Sequence, residues 1–356
     1  MNNLAEIYLD HASTTPVLPC ALNAFNKAIA DSFGNPSSAH SYGQRARELL
    51  EDSRATVAKC IGADPEEIIF TSGATEAAKL AIYSLENAGQ FVFASPYEHH
   101  AVSENVVKDP KFVRCAGESS CAVMLVNNES GQILDFKTGV TDFRYSICDA
   151  TSALGHIPFD VRKLGCSFLF GGAHKFGGIP GAGFLYAKKD APIVSIFRGG
   201  GQERGARAGT ESVAIIAAMA SALEWQIENM GENLLHARNL YTTMIAELVS
   251  RKVDILLNAN DGNVSPYILN LSFPGVEGSA LVLFLSKMGV MASAGAACTT
   301  GDNAPSHVLM AMYGDEDRAR SAIRISFSHA NTIEEVKIAA EKIAEAVGTL
   351  RGIAAG

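Results

Sequence analysis

Glu66–Ile82 reads EEIIFTSGATEAAKLAI. It opens on a short apolar run, EEIIF (66–70), crosses a turn of small residues, and enters a helical pattern that continues from Thr75 to Leu85. A buried strand feeding a helix through a tight turn is the unit from which α/β sheets are built. The rhythm recurs down the chain. FVFAS (91–95), AVMLV (122–126), YSICD (145–149), SFLF (167–170) and GFLYA (183–187) are apolar runs bounded by Gly, Pro, Asn or Asp, as strands buried on both faces require. The pattern predicts an α/β domain with a mostly parallel sheet, covered by helices on both faces. Such sheets place ligands beyond the carboxyl ends of their strands.

A long helical pattern runs from about Ala214 to Leu248, and then the rhythm changes. YILNLSF (267–273) reads as a strand, SALVLFLSKMG (279–289) as a helix closed by Gly289, PSHVLMAMYG (305–314) as a helix and SAIRISFS (321–328) as a strand. The last helix opens on a capping box, Thr332 with Glu335, and turns Val336, Ala339, Ala340, Ile343, Val347 and Leu350 to one face. Residues 1–13 and 250–356 are therefore expected to form a smaller α+β domain beside a large domain of 14–249. A chain of 356 residues exceeds what one hydrophobic core sustains, which also argues for two domains.

The formal charge is −9, which gives no electrostatic footprint for nucleic acid or an anionic membrane. An anionic ligand must then be held by a local site. Seven cysteines, at 20, 60, 115, 121, 148, 166 and 298, form no CxxC pair and are odd in number. This suggests neither a disulfide framework nor a metal site, and it fits a reducing cytoplasm. The opening MNNLAEIYLDHA lacks the basic and apolar pattern of a secretory leader. The most apolar helical run, Val213–Leu223, is too short to span a bilayer.

Lys175 is the residue out of place. It follows the strand SFLF inside FGGAHKFGG (170–178), where glycines let a large group approach the backbone. Lysine ordinarily sits on a solvated surface, and a desolvated one becomes a nucleophilic amine. Asp149 ends another apolar strand, YSICD. An aspartate there can cap a turn, or it can pair with a protonated ring nitrogen. A Schiff-base lysine with an aspartate partner is what pyridoxal 5'-phosphate (PLP) needs. Its phosphate needs a cradle, and the turn Ser72–Thr75 at a helix start supplies one through backbone N–H groups and the Thr75 hydroxyl.

With these residues in place the chain resembles the cysteine desulfurases of the iron–sulfur and nitrogen-fixation type, within the class V aminotransferase-like branch of fold-type I PLP enzymes. The similarity spans nearly the whole chain. It is carried by YLDHASTTP (8–16), FGNPSSAHSYG (33–43), FTSGATE (70–76), EHHAV (98–102), VNNESG (126–131), CDATSALG (148–155), AHK (173–175), GGGQERGARAGT (199–210), SAGAACTTG (293–301) and IRISFS (323–328).

The resemblance implies a role for each matching residue. Lys175 would hold the cofactor covalently and shuttle protons, Asp149 would face the pyridine nitrogen, and His99 would stack on the ring as acid and base. Asn128 would bond the phenolic oxygen. Ala74, Thr75 and His174 would hold the phosphate, with Thr210 reaching it from a second subunit, which implies a homodimer. Arg324 would clamp the substrate carboxylate, helped by Asn35. Cys298, in its loop of small residues, would be the nucleophile. L-Cysteine would become L-alanine, and the sulfur would be carried as a persulfide on Cys298 for delivery to an acceptor protein.

The chain also departs from the family pattern. Ser152 stands where a glutamine usually touches the phenolic oxygen, and Gly172 where a serine usually bonds the phosphate. Ala78 and Lys79 replace a usually polar pair, and Ser13 replaces a usual alanine. The interval from His99 to Asn128 is shorter than is typical. Alternatives are a related PLP lyase or class V aminotransferase acting on selenocysteine, cysteine sulfinate or another amino acid, and a non-catalytic relative serving as a binding subunit. Cys298 favours the desulfurase, because transamination needs no thiol. Joint retention of Lys175, Asp149, His99, Cys298 and Arg324 argues against a chain without chemistry.

Overall fold

The computed structural model describes residues 6–106, 119–259, 262–294 and 304–355. The chain divides into two compact units. One comprises Pro16–Val126 and Leu134–Met230, the other Met1–Thr15, Asn127–Ile133 and Gly231–Gly356.

The first unit is built on a six-stranded sheet. Its spatial order is Ile68–Thr71, Gly183–Ala187, Phe168–Gly172, Tyr145–Asp149, Ser119–Met124 and Phe91–Ala94. The last four strands run parallel to one another, while Gly183–Ala187 is antiparallel to both of its neighbours. The sheet is thus mostly parallel, as the apolar runs predict. The helix Ala74–Asn87 buries Ala77, Ala78, Ala81 and Leu85 in one cluster with Ile69, Phe168 and Phe170. Alanines on this face let the helix lie close to the strands. Two further helices, Pro19–Asp31 and Ser41–Ile61, pack on Val213–Glu228, whose own small side chains admit them.

The second unit holds a four-stranded antiparallel sheet in the order Ser293–Ala294, Ala322–Ser326, Ile268–Ser272, Leu256–Leu257. A short parallel pair, Ile7–Tyr8 with Val290–Met291, brings in the chain's beginning. Leu269, Leu271, Ile323 and Ile325 meet Leu285 and Ile343 in one apolar cluster. The capping box forms as read. Thr332 N–H donates to Glu335 at 2.8 Å and Glu335 N–H to Thr332 Oγ1 at 3.1 Å.

The long helical pattern is two helices, Val213–Glu228 and Met230–Ser250. Between them Asn229 donates both its backbone N–H and its side-chain amide to the carbonyl of Trp225. A side chain that competes for helix carbonyls favours a break there. The second of these helices belongs with the smaller unit, whereas the domain limit read from the sequence fell after it, at 249. Leu240, Met244 and Leu248 explain the difference, for they share the cluster of Leu269 and Ile325. Among the described residues no helix is long and apolar enough to cross a membrane.

Candidate active site

Lys175 ends a single turn, Ala173–Lys175, that follows directly on Phe168–Gly172. Asp149 is the last residue of the neighbouring parallel strand and lies in register with Phe170. Two strands therefore deliver a lysine and an aspartate to the same edge of the sheet. The third component arrives at the same edge. Thr71 and Gly172 both pair with Gly183, so Ile68–Thr71 and Phe168–Gly172 end at the same level on either side of Gly183, and the helix that follows the first begins there, at Ala74. Gly183 must be glycine for this. A Cβ on it would lie 2.6 Å from the Gly73 backbone and 2.7 Å from the carbonyl of Gly171.

The helix start is left open. Gly73 is its N-cap and supplies no side-chain cap, so its first N–H groups face outward with the positive end of the helix dipole. Gly172 borders this opening. A Cβ there would meet Ala74 N at 3.4 Å, Ala74 Cβ at 3.5 Å and His174 at 3.6 Å. The His174 pKa is lowered to about 4 by burial, with the positive charge of Lys175 adding to the effect. It is therefore a neutral imidazole that can donate one hydrogen bond without adding charge. Thr75 is exposed at the same helix start, and Ser152 is half-buried in the turn after Asp149.

Asp149 is buried, and burial raises its pKa. The N–H of Thr151, donating to Oδ1 at 2.8 Å, and the charge of Lys175 oppose that rise. A buried carboxylate of this kind gains from a cationic partner. Glu98 lies behind it, fully buried. Its Oε1 accepts from Ser95 Oγ and from the N–H of Met124, each at 2.7 Å. Burial, then the negative charge of Asp149, pushes its pKa up to about 8. Nothing in the sequence marked Glu98 except its place in EHHAV, one residue before His99. His99 is the N-cap of His100–Ser103, and its Nδ1 accepts from the N–H of Ala101 at 3.1 Å. In the neutral ring this leaves the proton on Nε2.

Two other expected residues lie on the surface. Asn35 is exposed, its side chain accepting from Ser37 N–H at 2.9 Å. Thr210 is exposed on the loop that follows Gln202–Gly205. That loop is fastened to the edge strand. Glu203 accepts from Arg54 and from the N–H of Phe70, and Arg207 pairs with Glu76 at 2.9 Å.

In the second unit, Arg324 and Asn128 come together. Arg324 is buried on Ala322–Ser326, and its Nη1 donates to the carbonyl of Asn128 at 2.8 Å. Its Nη2 pairs with Asp10 at 3.0 Å. Glu129, next in sequence, accepts from Ser306 Oγ, and Ser306 caps the helix His307–Tyr313. Cys298 lies outside the described residues.

The residues of the first unit fit PLP. A lysine, a buried carboxylate one strand away and an uncapped helix start share one edge, and the missing side chain of Gly172 keeps that start open. Such a set answers an aldehyde, a ring nitrogen and a phosphate respectively.

The aminotransferase class-V family model matches residues 7–109 and 118–338. The chain is 37% identical to the putative cysteine desulfurase IscS 1 of Bacillus subtilis (strain 168), over 98% of this chain and the whole of that protein. It is 33% identical to the IscS-like cysteine desulfurase of Mycobacterium tuberculosis, with 97% of each chain covered. A solved structure described as a NifS-like protein superposes with a TM-score of 0.86 at 30% identity, covering 97% of this chain and all of that one. A family match over most of the sequence, and a fold shared from end to end, lead to one conclusion: the chain belongs to the aminotransferase class-V family.

Proposed function

We propose that this protein is a PLP-dependent cysteine desulfurase, converting L-cysteine to L-alanine and carrying the sulfur as a persulfide on Cys298. The observation that carries the reading is the shared edge of Lys175, Asp149 and the open helix start at Ala74. Relatives named as cysteine desulfurases across nearly the full chain support the choice of substrate.

When bound, the cofactor supplies an electron sink for bonds at the substrate's α-carbon. Lys175 would attach it and move protons at the substrate carbons. Asp149 would keep the ring nitrogen protonated. His99 would give up the proton on Nε2 as an acid and take one back there as a base. Asn128 would bond the phenolic oxygen, with Ser152 as the shorter replacement for the usual glutamine. Ala74, Thr75 and neutral His174 would hold the phosphate beside Gly172, and Thr210 of a second copy would complete it, which would make the working unit a homodimer. Arg324 would take the substrate carboxylate, with Asn35 assisting. The thiolate of Cys298 attacks the substrate sulfur. A sulfur–sulfur bond forms as the carbon–sulfur bond breaks, the electron pair stays with carbon, and protonation there yields alanine. An acceptor protein then takes the persulfide sulfur, in a compartment as reducing as the cysteine pattern suggests.

The test is peptide mapping after incubation with L-cysteine and no acceptor. An added sulfur atom on the peptide holding Cys298 is expected. No added sulfur, or sulfur confined to other cysteines, contradicts the reading.

A further inference from the structure

Arg324 is only 6% exposed. Its Nη1 donates to Asn128 O at 2.8 Å, and its Nη2 donates to Asp10 Oδ1 at 3.0 Å and to Ser13 Oγ at 2.6 Å. Its Nε is buried and finds no hydrogen-bond partner among the described residues. The Ser13 hydroxyl spends its own hydrogen on Asp10 Oδ1, at 2.8 Å, which leaves a lone pair for the guanidinium. The turn that carries both residues is fixed to the strand that carries the arginine. Ser13 N–H donates to Asp10 O at 3.0 Å, Ala12 N–H donates to Ser326 Oγ at 2.8 Å, and Asp10 bridges to Ser326. Ser13 therefore stands where it does because of the fold, not because of a chance rotamer.

A guanidinium grips a carboxylate bidentately through one of two edges, Nε with Nη2 or Nη1 with Nη2. Both edges use Nη2, and Nη2 is the nitrogen that Asp10 and Ser13 hold. The guanidinium charge assists both bonds, but Asp10 offers a full opposite charge and Ser13 a neutral oxygen. A carboxylate that takes the place of the neutral oxygen adds an ion pair, whereas one that takes the place of Asp10 only exchanges one carboxylate for another, so Ser13 is the partner displaced. Nε, buried and without an acceptor, is the donor that gains most when a carboxylate arrives, because an unmet buried donor is costly.

We propose that Ser13 sets the affinity of Arg324 for amino-acid carboxylates: its hydroxyl holds Nη2, and a substrate carboxylate docks on Nε and Nη2 by displacing it. The inference rests on the reading of Arg324 as the carboxylate clamp. It gives a consequence to the serine that stands where the family usually has alanine. With alanine the edge is free, whereas here each carboxylate competes with an internal acceptor. Ser13 touches the clamp rather than the reacting atoms, so it is a positioning residue.

The experiment uses the PLP-loaded enzyme. L-Alanine binding is followed through the cofactor's absorbance, and KM and kcat are measured with L-cysteine. In Ser13→Ala the dissociation constant of L-alanine and the KM for L-cysteine are expected to fall about five-fold, the worth of one hydrogen bond, with kcat changing less than KM. Ser13→Thr, which keeps the hydroxyl, is expected to bind like the wild type. Cysteamine, an amine without a carboxylate, is expected to gain nothing. Unchanged or weaker L-alanine binding in Ser13→Ala, or an equal gain for cysteamine, overturns the proposal. Arg324→Lys separates it from the reading beneath. If that variant binds L-alanine as the wild type does, the clamp assignment itself has failed. If it loses binding while Ser13→Ala gains none, only the role of Ser13 has failed.

Discussion

Arg54 and Glu203 meet as a buried fork, Nη1 to Oε2 at 2.7 Å and Nη2 to Oε1 at 2.8 Å, although 149 residues separate them in the chain. Their side chains are 3% and 1% exposed. Oε2 also accepts from the N–H of Phe70 at 2.7 Å, so the pair fastens the loop bearing Thr210 to the edge strand Ile68–Thr71. Removing one partner of a buried pair costs about 3–5 kcal/mol where the other charge is left unpaired. In Glu203→Ala, Arg54 keeps Glu51 at 3.0 Å but loses its buried partner, and the N–H of Phe70 loses its acceptor. The apoprotein is therefore expected to lose stability toward the lower end of that range, about 3 kcal/mol, in urea denaturation. A loss below about 1 kcal/mol would show that the pair is dispensable.

Glu98 makes stability depend on pH in the alkaline direction. Its folded pKa, about 8, lies above its ordinary value of 4.5. The folded chain then binds a proton that the unfolded chain has already lost. Its contribution is full below 4.5 and is lost as pH rises through about 8. In Glu98→Gln the amide oxygen can still accept from Ser95 and Met124, and this slope should vanish. Denaturation midpoints of the cofactor-free protein between pH 5 and about 8.5 should fall more steeply for the wild type. Parallel curves would contradict the buried proton.

His11 acts in the opposite direction. Burial first, and the charge of His329 second, lower its pKa to about 4 from 6.5. It is wedged neutral between Thr15 Oγ1, 2.8 Å from Nδ1, and Ser328 Oγ, 3.2 Å from Nε2. The unfolded chain gains its proton first as the solution is acidified. The stabilisation is present above 6.5 and is lost as pH falls through about 4. His11→Gln is expected to flatten the acid limb of the stability profile over that window, read from thermal midpoints at successive pH values.

Gly172 bears on cofactor retention. Its place admits a Cβ at ordinary contact distances, 3.4–3.6 Å from Ala74 and His174. Gly172→Ser should therefore fold without strain and bring a hydroxyl to the uncapped start of the helix Ala74–Asn87. One added hydrogen bond is worth on the order of 1 kcal/mol, so PLP should dissociate about five-fold less readily in equilibrium dialysis. Equal or faster loss would show that the glycine opening is not where the phosphate rests.

What the sequence disclosed follows from physics local to the chain. Apolar runs ended by Asp149 or followed by Lys175 give both the strands and the edge that carries the chemistry, because strand period and turn residues act over few positions. The capping box of Thr332 and Glu335 is local too. The pairs that organise the sites are not. Glu98 adjoins His99, yet its acceptor role is fixed by Met124, 26 residues on. Ser13 and Arg324 meet across 311 residues. The helices Pro19–Asp31 and Ser41–Ile61 were not foreseen either. The first has no side-chain cap, and the second is polar over most of its length, so tertiary packing on Val213–Glu228 decides both.

The central claim is tested most directly by alanine formed from L-cysteine, with a reductant present, by the PLP-loaded wild type and by Cys298→Ser. The account predicts alanine from the wild type and almost none from the variant. Alanine from both would mean a lyase that does not use the thiol, and none from either, with PLP bound, would remove cysteine as the substrate.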